Sequence, residues 1–232
     1  MRSAPAHIVT GYVRLDSEHR GHERYTDLGQ QLVDVGLPTV AFLDPSAVMR
    51  SRPGLLRLHA SLERCWYWQA SDGAGLPDGT VGKDTRAFLS VQHQKTAWLA
   101  DAASYSDAEV LLWVDFGIFH VPGITADGIR RLAERAGERC RDRVGMASIW
   151  GPPFSPVPPE RVAWHCAGGV LAVPRNMASW LDMAVRIEAQ RQIEAGQATW
   201  EVNTWANVWR LHPDWFDSWR CDHNGTLLAG YQ

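Results

Sequence analysis

Short apolar runs alternate with stretches of helical periodicity along most of the 232 residues, and this alternation is the strongest constraint on the fold. The runs occupy 8–15, 39–43, 110–119, 144–150 and 166–173. Between them, 27–35 carries Leu28, Leu32 and Val35 at helical spacing before Gly36 and Pro38, which read as a helix stop. Residues 85–103 place Phe88, Val91, Lys95, Trp98, Leu99 and Ala102 three or four apart, and 126–141 repeats the pattern through Ile129, Leu132, Ala136 and Cys140. Two later helices are expected at 177–195, with Trp180, Leu181, Ala184 and Ile187 on a core-facing stripe, and at 200–209, with Trp205, Val208 and Trp209 on one side. Strands that alternate with helices predict an α/β fold, a mainly parallel central sheet flanked by helices, with ligands at the carboxyl ends of the strands. The length suits a single domain over 1–232.

Composition narrows the function classes. No apolar stretch approaches the ~20 residues of a membrane-spanning helix, and the opening sequence lacks the apolar core of a signal peptide, so no membrane span and a cytoplasmic location are expected. Cys65, Cys140, Cys166 and Cys221 are far apart, with no C-x-x-C pair, and read as free thiols. A net charge of −3 gives no global basis for nucleic-acid binding. Of the 23 basic residues only Lys83 and Lys95 are lysines, which singles out both.

Several catalytic signatures fail. Residues 79–85 (GTVGKDT) lack the P-loop pattern because Pro77 stands where glycine is needed and Asp84 where serine or threonine is needed. Gly73-Ala74-Gly75 neither follows a strand nor opens a helix, which removes the dinucleotide fingerprint. There is no G-x-S-x-G elbow, H-E-x-x-H pair or EF-hand loop. A glycine-rich segment at 71–84 and a proline-rich one at 151–159 read as long surface loops, and at least one is expected to contact substrate.

The remaining signal is a carboxylate at a strand end. Residues 111–117 read LLWVDFG, a buried strand that presents Asp115 at the sheet edge and is followed by Gly117. An ionised carboxylate there needs a cation, a metal, a helix N-terminus or several hydrogen-bond donors. This W-V-D-F-G strand end resembles that of the HtrL/YibB-like bacterial glycosyltransferases, relatives of the GT-A enzymes whose D-x-D motif holds a divalent metal on the donor diphosphate. In that alignment Asp115 matches the first aspartate and Gly117 takes the place of the second.

The resemblance implies a single GT-A-like domain, its nucleotide-binding part about 1–120 and its acceptor part about 121–232. It implies transfer of a sugar from a nucleotide-diphosphate donor such as a UDP-sugar to a hydroxyl acceptor. Carried over residue by residue, Thr10, Gly11, Tyr12 and Asp44 would face base and ribose, Lys95 the phosphates or base, and Gly168 and Gly169 the donor sugar. Asp115 and His223 would hold Mn²⁺ or Mg²⁺, and Glu201, at a helix start, would be the catalytic base beside Asp115. A glycan is the first-choice acceptor. Two other readings stand beside it: a glycosyltransferase acting on a hydroxymethylated base in DNA, with Arg50, Arg52 and Arg57 holding the strand, and a non-catalytic nucleotide- or sugar-binding module.

Overall fold

The computed structural model describes residues 5–16, 21–78 and 82–230. In chain order the elements are β1 (His7–Tyr12), α1 (His22–Asp34), β2 (Thr39–Leu43), β3 (Leu55–His59), α2 (Trp66–Ala70), α3 (Arg86–Ala102), β4 (Val110–Val114) and α4 (Ala126–Arg139). They continue with β5 (Val144–Ser148), β6 (Val170–Pro174), α5 (Ala178–Glu194), α6 (Glu201–Leu211) and β7 (Phe216–Arg220). All seven strands form one sheet in the order β3-β2-β1-β4-β6-β5-β7. Every neighbouring pair is parallel except those of β6, which runs antiparallel to both β4 and β5. The expected mainly parallel α/β sheet is therefore present, and it spans both halves of the chain without interruption.

Helices cover both faces. On one, α3, α5 and α6 pack with Val9, Phe42, Leu111, Trp113, Met146 and Leu171 into the larger core. On the other, α1 and α4 pack against Ile8, Leu112, Val114, Val170 and Ala172. Strand alternation does the sorting: Leu111 and Trp113 face one side of β4, Leu112 and Val114 the other. Among the described residues no helix is long and apolar enough to cross a membrane.

The strands β3 and β7 carry no sequence signal comparable to the five apolar runs. Both are edge strands, mostly exposed along their lengths, whereas β2, β4, β5 and β6 are buried at every position. Only strands flanked on both sides and covered on both faces need continuous apolar sequence. The run at 110–119 ends as a strand at Val114, and that at 166–173 begins as one only at Val170, so Gly168 and Gly169 precede the strand rather than lie within it. The stripe expected on α5 is corrected: Trp180 and Ile187 are exposed, and Leu181, Asp182, Val185, Glu188, Ala189 and Gln192 form the buried face. Of the loop expected at 71–84 and the rejected P-loop, Gly79, Thr80 and Val81 lie outside the described residues.

Two core features constrain the region around α3. The indole of Trp98 stacks between Phe42 and Trp113, at ring centroid distances of 5.6 and 5.9 Å. It lies so close to β1 that a Cβ at Gly11 would sit 2.2 Å from its ring. One turn earlier, His93 is fully buried, stacks on Tyr67 at 3.8 Å, and bonds to the Leu89 carbonyl (3.0 Å) and the Thr204 hydroxyl (3.1 Å). Burial pushes its pKa down to about 3, with the nearby Lys95 charge acting in the same direction against the Leu89 hydrogen bond.

Both features give expected outcomes. Gly11→Ala should cost about 1–3 kcal/mol, because the Trp98 ring has no free space to yield; a lowered urea midpoint at unchanged slope would register it. His93 stays neutral in the fold while its unfolded form takes a proton below its ordinary pKa of 6.5. Stability should therefore fall as pH drops from 6.5 toward about 3, by up to about 1.4 kcal/mol per pH unit from this group. Urea titrations across that range should show a shallower decline for His93→Gln than for the native chain.

Candidate functional site

The carboxyl end of β4 opens into a cleft of about 230 Å³. Asp115 follows the last residue of β4, and its position is fixed by pairing. Val114 lies opposite Val170 across the antiparallel β4–β6 ladder, and the next rung is the Asp115 N–H donating to the Gly169 carbonyl at 2.9 Å. Because β6 runs against its neighbours, its amino end meets the carboxyl end of β4, which brings Gly168 and Gly169 beside Asp115. A Cβ at Gly168 would lie 2.5 Å from Glu201 Oε1 and 3.2 Å from Lys95 Nζ, so only glycine leaves room for those groups.

Lys95 stands at the centre. It projects from α3 and is almost wholly buried; its ammonium donates to Glu201 Oε1 at 2.9 Å and to the Gly168 carbonyl at 3.0 Å, and forms an ion pair with Asp115 Oδ1 at 3.1 Å. The rings of Trp113 and Trp205 flank it at 5.9 and 5.8 Å. Burial alone would lower the lysine pKa, but the two carboxylates and their hydrogen bonds outweigh it and raise it above the ordinary 10.5. This charge is held between two carboxylates of the protein, and Lys95 also lines the cleft.

The two carboxylates differ. Asp115 is one-third exposed, and its Oδ1 also accepts from the Trp113 indole N–H at 2.8 Å. Glu201 heads α6, where the helix N-terminus favours a negative charge, and its side chain is 3% exposed. Its Oε1 is taken by Lys95, whereas its Oε2 is buried with no hydrogen-bond partner among the described residues. An orphaned carboxylate oxygen in a cleft wall is an acceptor lacking a donor.

Aromatic rings make the walls. Trp200 lines the cleft, packs edge-on against Phe88 and donates its indole N–H to Asp84 Oδ1 at 2.8 Å. Trp164 lines the opposite rim and meets His223 edge-on at 4.5 Å. Tyr25, Gln92, His120 and Lys83 complete the polar lining, so both lysines of the chain border one cleft. Lys83 makes the 71–84 loop a contributor, whereas no residue of the 151–159 loop lines the cleft.

Of the residues singled out by sequence, Asp115, Lys95, Gly168, Gly169, Glu201 and His223 come together here. Thr10, Gly11, Tyr12 and Asp44 do not line the cleft. Thr10 is fully buried with an unpartnered hydroxyl, and Gly11 abuts Trp98. Tyr12 bonds to His22 Nδ1 at 2.8 Å and stacks on Phe116, and Asp44 accepts from both the backbone N–H and the hydroxyl of Ser46. Arg50, Arg52 and Arg57 bond instead to Asp34, to the carbonyls of Leu37 and Pro53, and to Met49 and Ser51, all away from the cleft.

A metal at Asp115 and His223 is not matched by the donor set. Among the described residues no three His, Cys, Asp or Glu side chains converge as ligands. Asp115 Oδ1 already serves Lys95 and Trp113, and the place of a second aspartate is held by Gly117, where an added Cβ would lie 3.0 Å from the Tyr25 ring. Nucleophilic chemistry at Cys166 is unfavourable, because burial and then the Glu201 charge push its pKa well above the ordinary value. All four cysteines are buried.

Sequence reasoning missed Trp113 and Gln92, although both had a signal. Trp113 is two residues before Asp115 and therefore on the same strand face, and Phe88, Gln92 and Lys95 stand at i, i+4 and i+7 of one helix face. Tyr25, Trp164 and Trp200 carried none, because only the packing of distant segments brings them here. No protein family and no curated protein matches this chain.

The arrangement predicts unequal tolerance at its two adjacent glycines. Gly168→Ala should displace Glu201 from Lys95 and destabilise the fold by about 1–3 kcal/mol. Gly169→Ala meets only the Ile118 Cδ1 end at 3.2 Å and should cost clearly less; paired thermal melts would compare them.

Proposed function

We propose that this chain is a glycosyltransferase with a GT-A-like domain, which moves a sugar from a nucleotide-diphosphate donor to a hydroxyl acceptor. The observation that carries the reading is Glu201, which lines an aromatic-walled cleft at the carboxyl end of a central strand and whose buried Oε2 has no hydrogen-bond partner among the described residues. A sugar or acceptor hydroxyl supplies the donor that this oxygen lacks. Aromatic faces beside carboxylates suit a polyhydroxylated ring, which has apolar C–H faces and hydrogen-bonding edges.

In this mechanism Glu201 Oε2 accepts the proton of the acceptor hydroxyl as that oxygen bonds to the anomeric carbon, and the nucleoside diphosphate leaves with the electron pair of the broken bond. Lys95 holds Glu201 in one orientation before the acceptor arrives. The partly exposed Asp115 accepts from donor hydroxyls. Gly168 and Gly169 let the sugar approach backbone closely. Lys83 and His223 at the rim are assigned to the diphosphate charge.

The non-catalytic binding module is the second reading, favoured by the ion pair that lowers the availability of Glu201 as a base. The DNA-directed reading gains nothing from Arg50, Arg52 and Arg57, which are bonded within the protein away from the cleft. A glycan acceptor keeps its place.

Purified protein should be screened by thermal shift and donor hydrolysis against UDP-, GDP-, ADP- and CMP-linked sugars. One donor should raise the melting temperature and be slowly hydrolysed to its free nucleotide. Glu201→Gln should retain binding and lower turnover by about 10²–10⁴-fold, and Asp115→Ala should weaken binding. Stabilisation without hydrolysis would select the binding module, and no response to any nucleotide sugar would sink both.

A further inference from the structure

The environment of Lys95 has the composition of a cation site. Two carboxylate oxygens and one backbone carbonyl, Asp115 Oδ1, Glu201 Oε1 and Gly168 O, lie 3.1, 2.9 and 3.0 Å from a single point, and that point is the lysine nitrogen. Hard divalent cations take oxygen ligands of these kinds at ~2.0–2.6 Å, with water filling the remaining positions. The shell has two negative charges and is largely enclosed by protein.

We propose that Asp115, Glu201 and the Gly168 carbonyl form a latent divalent-cation site whose resident cation is the Lys95 ammonium, so that the cleft works without a bound metal. The observations are independent of one another. The ammonium donates to Glu201 Oε1 and the Gly168 carbonyl and pairs with Asp115 Oδ1, so the lysine nitrogen stands at the point from which a metal would reach all three oxygens. A metal placed on the outer oxygen of Asp115 would put a second cation on a carboxylate that already serves Lys95 and Trp113. The second aspartate that would add a ligand is replaced by Gly117, where Tyr25 closes the space for a side chain.

This assignment depends on the transferase reading only for the statement that turnover is metal-independent; the occupancy of the site by lysine stands without it. A tethered cation also differs functionally from an ion. It cannot be chelated or exchanged, and it joins α3 to the carboxyl end of β4 and the start of α6 whether or not ligand is bound.

The test uses the full chain, stripped with EDTA, as the native protein, Lys95→Ala and the double variant Lys95→Ala/Asp115→Asn. Free Mn²⁺ is followed by electron paramagnetic resonance and stability by thermal melting, each with and without UDP. The native protein should melt at the same temperature in EDTA and in millimolar Mn²⁺ and should not deplete free Mn²⁺. Lys95→Ala should melt several degrees lower in EDTA, recover much of the loss with Mn²⁺ and bind one ion per chain. The double variant should lose that binding. Should Lys95→Ala fail to fold in EDTA, refolding only when Mn²⁺ is present supports the assignment as well.

Saturable Mn²⁺ binding by the native protein that disappears in Asp115→Asn would overturn the proposal, as would a folded Lys95→Ala that binds none. If Lys95→Ala folds under neither condition, the native and Asp115→Asn titrations decide alone. Donor hydrolysis that survives EDTA supports metal independence, and hydrolysis that requires Mn²⁺ overturns it. Absence of hydrolysis under every condition removes the transferase and leaves the titration to judge the lysine.

Discussion

A lysine ammonium in a protein interior is stable only where every proton meets an acceptor and opposite charge lies close by. Lys95 finds acceptors and opposite charge in Asp115, Gly168 and Glu201, all distant from it in sequence. Each of those partners is held by a different element, so that burying one charge fixes the relative placement of α3, β4, the turn before β6 and the start of α6. Removing any one partner would leave a buried charge uncompensated, a loss that commonly exceeds the stabilisation the ion pair itself provides. The crowding around this charge also explains why Gly168 cannot be enlarged.

The reversed strand β6 is the second determinant. In a sheet whose other neighbours are parallel, the carboxyl ends of the strands share one edge and the loops there come from strand ends only. Running β6 the other way brings the start of a strand to that edge. Two glycines can then lie opposite Asp115 with their backbone exposed to the cleft. A parallel strand in this place would have brought its far end, Val173 and Pro174, to the same position.

Charge within this centre is not balanced: two carboxylates face one ammonium, and Glu201 Oε2 is left without a donor. Native proteins rarely leave such an oxygen inside unless a ligand or a functional demand accounts for it. The cleft walls of Trp164, Trp200 and Phe88 offer apolar surface around that acceptor. The combination favours a neutral ligand rich in hydroxyls over one that is itself strongly anionic at this point.

The sequence by itself determined which segments are buried. Continuous apolar runs located the interior strands β2, β4 and β5, and helical spacing located α3, α4 and α6 to within a few residues, because full burial on both faces leaves no polar position to obscure the pattern. A charge inside an apolar context singled out Asp115 and Lys95, and the resemblance to the GT-A enzymes added Gly168, Gly169, Glu201 and His223. Edge strands β3 and β7 were invisible because half-exposed strands tolerate almost any residue. What Lys95 does was decided only by the tertiary structure. A lysine on an apolar helix face reads equally as a ligand for phosphate or as a partner for carboxylates, and the choice depends on groups that are distant in sequence. The reversal of β6 and the start of α6 brought those groups within 3.1 Å, and electrostatics at that distance fixed the answer.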